Sequence, residues 1–171
     1  MTGRDGRAVG AVGSRAPGFA LPVAGGGARR LEDLLQAGGG VLVFAKDGCP
    51  TSGLVVTRLA PLEAALNREG RPLLAVFQGD DAGAAAFRDA YGLAMPVACD
   101  AAPHEASRAY GITTVPTLLV VDGAGVIAER LEGFVKSEYL ALGASLEQAL
   151  ALGDIPPVLE RPEDLPAAQP G

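Results

Sequence analysis

The residue of this sequence that is best placed to do chemistry is Cys49. The preceding run, residues 41–45, is continuously apolar, and Pro50 follows directly, a residue suited to the first position of a helix. Cys49 is therefore expected at the N-cap, where free backbone N–H groups and the helix dipole stabilise a negative charge. A thiolate carries such a charge and is the attacking form of cysteine. We therefore predict that Cys49 is a nucleophile, against the alternative of an inert, buried cap residue.

Three further residues bear on this chemistry. Lys46, three positions upstream, adds positive potential if its side chain turns toward the sulfur. Ser52, one helical turn on, can donate a hydrogen bond to a thiolate, but its hydroxyl cannot attack a disulfide at neutral pH. If Cys49 forms a mixed disulfide with a substrate, an external thiol or Cys99 must therefore attack that disulfide to regenerate the Cys49 thiol. If Cys99 lies on an outermost strand, two strand spacings, roughly 9.5 Å, separate it from the central strand, beyond the ~7 Å Cα separation that a disulfide allows.

The elements that must position Cys49 follow from hydrophobic periodicity and turn residues. Residues 41–45 and 73–77 are predicted to be buried strands, and the helical spacing of apolar residues over 50–68 predicts a helix kinked by Pro61. Strands alternating with helices indicate parallel pairing. Further elements are a short helix at 30–36, a helix at 82–91, an extended segment at 97–99, a helical piece at 104–110, a β-hairpin over 117–131 and a last helix at 137–152. The fold class is therefore α/β, with a central mixed sheet flanked by helices.

Length and composition narrow the function classes. A chain of 171 residues is expected to form one domain, here residues 15–152, between a flexible tail at 1–14 and a proline-rich, disordered tail at 153–171. A net charge of −6 argues against nucleic acid as a partner. No apolar run reaches the roughly eighteen residues that span a bilayer, and two cysteines make no disulfide framework, so we predict a cytoplasmic location and no membrane partner. The single histidine, His104, and the spacing of the acidic residues predict neither a metal site nor a cofactor.

Three segments carry a resemblance to a known family. Residues 110–122 contain Val115-Pro116-Thr117, residues 15–22 form an extended N-terminal segment, and residues 44–52 contain Cys49-Pro50-Thr51-Ser52. In this order they resemble the thioredoxin superfamily, in particular its redoxin branch of alkyl hydroperoxide reductase/thiol-specific antioxidant proteins and TlpA-like proteins. The resemblance implies a thioredoxin-like fold and a cis peptide before Pro116, opposite Cys49. It also implies a substrate site that includes Val115, Pro116, Lys46 and Pro50.

The sequence departs from the family pattern at the residues that assist the reactive cysteine. Ser52 replaces the second thiol of the two-cysteine redoxins, and valines replace the buried acids that assist proton transfer in thioredoxins and TlpA-like proteins. Of the peroxiredoxin site only Cys-Pro-Thr matches, which makes Thr51 a candidate beside Cys49. The peroxiredoxin arginine corresponds to Ala128, although Arg130 lies on the same strand face.

Three functions remain open at this point. The preferred one is a thiol–disulfide oxidoreductase in which Cys49 attacks a protein disulfide or mixed disulfide, Ser52 steadies the thiolate and an external thiol resolves the product. The second is a one-cysteine peroxidase, an antioxidant in which Cys49 passes through sulfenic acid. The third is a redox-inactive binding module that keeps the fold and the groove. In each case homodimerisation is left open.

Overall fold

The computed structural model describes residues 8–155 and 157–171. Its centre is a five-stranded sheet in the order β5-β4-β3-β6-β7. The strands are β3 (Gly39–Ala45), β4 (Leu73–Phe77), β5 (Val97–Cys99), β6 (Thr117–Asp122) and β7 (Ile127–Glu132). Strands β3, β4 and β5 run parallel, and β6 and β7 are antiparallel additions. The predicted α/β fold with a central mixed sheet is confirmed.

Helices cover both faces of the sheet. They are α1 (Leu31–Gln36), α2 (Pro50–Arg58), α3 (Ala60–Arg68), α4 (Asp81–Tyr91), α5 (Glu105–Ala109) and α6 (Lys136–Leu150). A small antiparallel pair of strands, β1 (Ala20–Pro22) and β2 (Ala28–Arg30), precedes α1. Among these helices none is long and apolar enough to cross a membrane.

Successive side chains of β3 point to opposite faces of the sheet and pack in two separate hydrophobic cores, a larger and a smaller one. Val41 and Val43 pack in the cluster formed with α2, α3, α4 and α6. Leu42 and Phe44 pack in the cluster on the opposite face, which includes α1, Tyr110 and Cys49. All seven residues of β3 are buried, as expected for a strand covered on both faces. The candidate nucleophile therefore belongs to the smaller core.

The predicted helix over 50–68 is two helices rather than one kinked helix. The chain leaves helical geometry at Leu59, which is both the C-cap of α2 and the N-cap of α3. Pro61 lies in the first turn of α3. Backbone N–H groups in the first turn of a helix have no intrahelical acceptor, so the N–H that proline lacks costs no hydrogen bond here. The proline thus begins a helix instead of bending one.

The C-terminal region differs from the disordered tail expected for residues 153–171. In its described part, Val158, Leu159 and Leu165 are buried in the larger core, and residues 162–164 form a 3-10 turn. Strand β9 (Ala168–Gln169) then pairs antiparallel with β8 (Phe134–Val135). The expectation of disorder rested on the prolines and overlooked these three aliphatic side chains, whose burial offsets the entropy of ordering the chain.

The N-terminal tail expected at residues 1–14 lies partly outside the described residues. Its described part packs on the edge of β7: Ile127 donates its N–H to the Ser14 carbonyl at 2.9 Å and accepts from the Gly13 N–H at 2.7 Å. Ser14 is buried. Residues 13 and 14 therefore extend the pairing at the β7 edge of the sheet.

Candidate active site around Cys49

The topology of the sheet brings Cys49 and the Val115-Pro116 pair together. Because β3 and β6 are antiparallel, the end of β3 lies beside the beginning of β6, and Phe44 is paired with Thr117. The chain leaves β3 through residues 46–48 into Cys49, and it enters β6 from Pro116. Two residues that are 66 positions apart in sequence thus meet at one edge of the smaller core.

Cys49 is the N-cap of α2, as the position of Pro50 predicts. Its backbone is extended (φ −102°, ψ 106°), and its Sγ accepts a hydrogen bond from the Ser52 N–H at 3.4 Å. The thiol also donates to the Val115 carbonyl oxygen at 3.3 Å. An N–H in the first position can stabilise a negative charge on the sulfur, whereas the carbonyl accepts from the protonated thiol. Cys49 is 8% exposed, so little of it is open to solvent.

The segment opposite Cys49 is held by hydrogen bonds on both sides. The Val115–Pro116 peptide is cis, as the resemblance implied, and both residues are buried. The Thr117 hydroxyl donates to the Thr114 carbonyl at 2.7 Å, and the Gly133 N–H donates to the Pro116 carbonyl at 2.8 Å. These contacts fix the position of the Val115 carbonyl, the group that contacts the sulfur.

Ser52 contacts the sulfur through its backbone and not through its side chain. Its hydroxyl is fully buried and has no hydrogen-bond partner within residues 8–155 and 157–171. The expectation that this hydroxyl steadies the thiolate therefore differs from the observed geometry, in which the N–H fills that role. A helix N-terminus offers its amides to a cap residue first, which explains the difference.

The other predicted site residues surround Cys49 at its rim. Pro50 and Lys46 are exposed, and Lys46 lines a small polar cavity together with Gln78, Val115 and Gly171. Thr51 is buried, and its hydroxyl donates to the Pro170 carbonyl at 2.5 Å. The Lys46 side chain thus borders the cavity beside Val115, while Thr51 is engaged by the C-terminal segment.

Cys99 lies apart from Cys49. It is on β5, the edge strand, where it pairs with Phe77 of β4, which in turn pairs with Ala45 of β3. Both cysteines are free. The Cys99 Sγ contacts the Asp81 carboxylate at 3.9 Å, and burial, reinforced by the negative charges of Asp81 and Asp80, raises the pKa of this thiol. Neither its position nor its ionisation favours a resolving role.

The contrast between the two thiols gives a labelling prediction. We expect iodoacetamide at neutral pH to modify Cys99 at least about tenfold more slowly than Cys49, because the reacting form is the thiolate. Peptide mapping by mass spectrometry measures both rates in the same sample, and labelling in urea provides the reference in which both cysteines react alike. Equal rates in the folded protein would contradict the assignment of Cys49 as the activated thiol.

Arg130, the arginine nearest to the peroxiredoxin pattern, is occupied elsewhere. Its guanidinium donates to the carbonyls of Gly10, Tyr110 and Gly111 at 3.0–3.1 Å and forms an ion pair with Glu132. Arg130 therefore ties the N-terminal segment to the end of α5. These contacts are structural and leave it no role beside the sulfur.

The residues that the sequence analysis missed are at the C-terminus of the chain. Gln169 donates from Nε2 to the Thr51 hydroxyl at 2.8 Å, and Pro170 accepts from that same hydroxyl. Gly171 lies against the Val115 carbonyl and Thr114. The aliphatic residues at 158, 159 and 165 indicate that the C-terminal segment packs on the domain. Nothing in the sequence indicates that this segment ends beside Cys49.

Comparisons with known structures identify the fold. A candidate thiol:disulfide interchange protein DsbE from Chlorobium tepidum is 25% identical, with a TM-score of 0.73 over 82% of this chain and 98% of that one. A thiol-disulfide oxidoreductase from Bacteroides fragilis is 20% identical (TM-score 0.65; 79% and 98% covered). The peroxidoxin BcpB from Mycobacterium tuberculosis is 20% identical (TM-score 0.63; 82% and 94% covered). These neighbours confirm the thioredoxin-like fold.

Sequence families give the more specific result. No curated protein sequence matches this chain at a significant level. The family model AhpC/TSA, in contrast, matches residues 12–130, which include Cys49 and the Val115-Pro116 pair. The chain therefore belongs to the AhpC/TSA family of redoxins.

Proposed function

We propose that this protein is a thiol–disulfide oxidoreductase with one nucleophilic cysteine, Cys49, acting on protein disulfides or protein mixed disulfides. The observation that carries the proposal is the position of its sulfur, at the first turn of α2 against the Ser52 N–H and beside the Val115 carbonyl. The amide stabilises the charge of the attacking thiolate. Val115 and Pro116 shape the surface on which the substrate chain lies.

The reaction proceeds by two exchanges at sulfur. The Cys49 thiolate attacks one sulfur of the substrate disulfide; a new S–S bond forms to Cys49, the old one breaks, and the leaving sulfur takes up a proton. An external low-molecular-weight thiol, in its thiolate form, then attacks the mixed disulfide. It reduces Cys49 and leaves oxidised, as a disulfide with the group that Cys49 carried. Ser52 cannot perform this second step, because a hydroxyl is no nucleophile toward disulfides at neutral pH.

The requirement for an external thiol also indicates where the protein works. A single-cysteine enzyme turns over only where reduced thiols are abundant, so we propose a reducing compartment such as the cytoplasm. The acidic net charge of −6 fits protein or small-thiol substrates rather than nucleic acid.

A one-cysteine peroxidase is the second candidate, and membership of the AhpC/TSA family together with Cys49-Pro50-Thr51 favours it. Peroxide reduction needs donors that stabilise the departing oxygen. The Arg130 guanidinium is held by carbonyls and Glu132, and the Thr51 hydroxyl donates to Pro170, so neither is free for a peroxide. The observed geometry therefore favours disulfide exchange.

The two candidates are separated by following both reactions in one preparation. With a glutathionylated protein and reduced glutathione as external thiol, we expect catalytic release of the protein thiol, and without the external thiol a single release per molecule. Hydrogen peroxide should be consumed slowly in comparison. Fast peroxide consumption with no release of protein thiol would overturn the proposal in favour of the peroxidase. Inactivity in both reactions would favour the redox-inactive binding module.

A further inference from the structure

The last six residues of the chain, 166–171, run across the active site, and we refer to them as the C-terminal strap. At its start the strap is anchored by the buried side chain of Leu165, and Lys136 Nζ donates to the Leu165 carbonyl at 2.7 Å. Lys136 N–H then donates to the Ala167 carbonyl at 2.8 Å, and Gln169 and Ala168 pair with Phe134 and Val135. The strap is therefore an added strand on β8.

The end of the strap contacts the residues around the sulfur. The Thr51 hydroxyl bridges it, since this hydroxyl accepts from Gln169 Nε2 and donates to the Pro170 carbonyl. Gly171 lies against the Val115 carbonyl oxygen, the same atom that accepts the hydrogen bond of the Cys49 thiol. The strap thus reaches the immediate surroundings of the sulfur.

The strap makes these contacts in the manner of a bound peptide. Ala168 and Gln169 form a strand that pairs with the edge of β8 through its backbone, and five of the six strap residues are exposed. Backbone pairing to a strand edge combined with a few side-chain contacts is a general mode of peptide recognition. The residues of the strap, Pro-Ala-Ala-Gln-Pro-Gly, carry no charged side chain, and most are small.

The fit at Gly171 is close. A Cβ atom built at this position overlaps the Val115 carbonyl oxygen and the Thr114 methyl group, so a side chain here forces the end of the strap or its neighbours to shift. The two-residue ladder and the Thr51 contacts are few, in contrast, so that a competing chain can replace them. The strap therefore fits closely at Gly171 but is held by few hydrogen bonds.

We infer that the C-terminal strap is an internal competitor for the groove formed by β8, Thr51 and Val115, and that the ligand which displaces it is an extended peptide segment of small, uncharged residues. The identification of this ligand as the disulfide-bearing segment of a protein substrate rests on the proposed function. Cys49 becomes accessible to such a substrate when its backbone replaces the strap on β8. Small disulfides that do not pair with β8 react with Cys49 without competing for this groove.

The test uses the full chain and a fluorescent peptide of residues 163–171 as the probe. In the wild-type protein the tethered strap competes with this peptide, whereas we expect the overlap created by Gly171→Val to weaken the docking of the strap and free the groove. If the strap is docked in nine of ten molecules, the apparent Kd of the peptide falls about tenfold in the variant. Fluorescence anisotropy measures it. Gly153→Val is the matched control, since a Cβ at Gly153 meets no atom within 4 Å, and it should bind as the wild type does.

Equal affinity of the three proteins, or no binding to any of them, would overturn the inference. A second readout separates it from the proposed function: formation of a mixed disulfide at Cys49 from a disulfide-linked peptide and from oxidised glutathione. We expect Gly171→Val to increase the peptide reaction more than the glutathione reaction. Adducts from both disulfides with no gain in the variant would overturn the strap and leave the oxidoreductase standing. Tighter peptide binding by the variant without adducts in any protein would support the strap and reject the oxidoreductase.

Discussion

Replacing Cys49 with serine should abolish thiol–disulfide exchange and leave the fold intact. Serine is a favoured N-cap residue, and its hydroxyl can accept from the Ser52 N–H and donate to the Val115 carbonyl as the thiol does. We therefore expect the free energy of unfolding to change by no more than about 1 kcal/mol. The release of protein thiols from a glutathionylated substrate should fall at least about a thousandfold, because the nucleophile is lost.

The matched control for this variant is Cys99→Ser, which removes the other thiol. Cys99 is on the edge strand, contacts Asp81 and has a raised pKa, so its replacement should leave the exchange rate within about twofold of the wild type. Chemical denaturation measures stability in both variants. If Cys49→Ser retained exchange and Cys99→Ser lost it, the assignment of the nucleophile would be wrong.

Replacing Ser52 with cysteine should convert the protein into one that resolves its own mixed disulfide. The Ser52 N–H lies 3.4 Å from the Cys49 sulfur, and the Ser52 hydroxyl is buried with no hydrogen-bond partner in the described part of the chain. A thiol tolerates such a place better than a hydroxyl, whose burial without a partner costs about 1–3 kcal/mol. The new thiol attacks the mixed disulfide, an internal disulfide forms between positions 49 and 52, and the external thiol is no longer needed to release the bound group.

The measurement is a single turnover with a glutathionylated protein and no external thiol, followed by intact mass. We expect the wild type to remain glutathionylated at Cys49, and Ser52→Cys to carry an internal disulfide and no glutathione. Thr57→Cys is the control: it places a thiol in the same helix about 12 Å along the axis from Cys49, too far for a disulfide. A Ser52→Cys protein that stays glutathionylated would contradict the geometry of the site.

The parts of the site that could be predicted are those governed by local rules. The N-cap position of Cys49 follows from a buried strand before it and a proline after it, and the structure confirms that position. The place of Val115-Pro116 opposite the cysteine came from the resemblance, because the contact depends on the antiparallel pairing of β3 with β6. No periodicity in the sequence specifies that pairing across 66 residues.

The C-terminal strap shows where composition misleads. Prolines at 157, 162, 166 and 170 suggest a tail without structure, yet proline is compatible with an extended segment at a strand edge. The decisive residues are Val158, Leu159 and Leu165, whose side chains fill the larger core and so bring the following residues to β8. Where the strap ends, against Thr51 and Val115, is a tertiary contact that only the assembled fold provides.

One mass spectrum decides whether Cys49 is a working thiol. The protein is incubated with oxidised glutathione at neutral pH, digested and mapped. We expect a single glutathionyl group on the peptide that contains Cys49, and an unmodified Cys99. An unmodified Cys49, or modification of Cys99 alone, would show that Cys49 is not the working thiol.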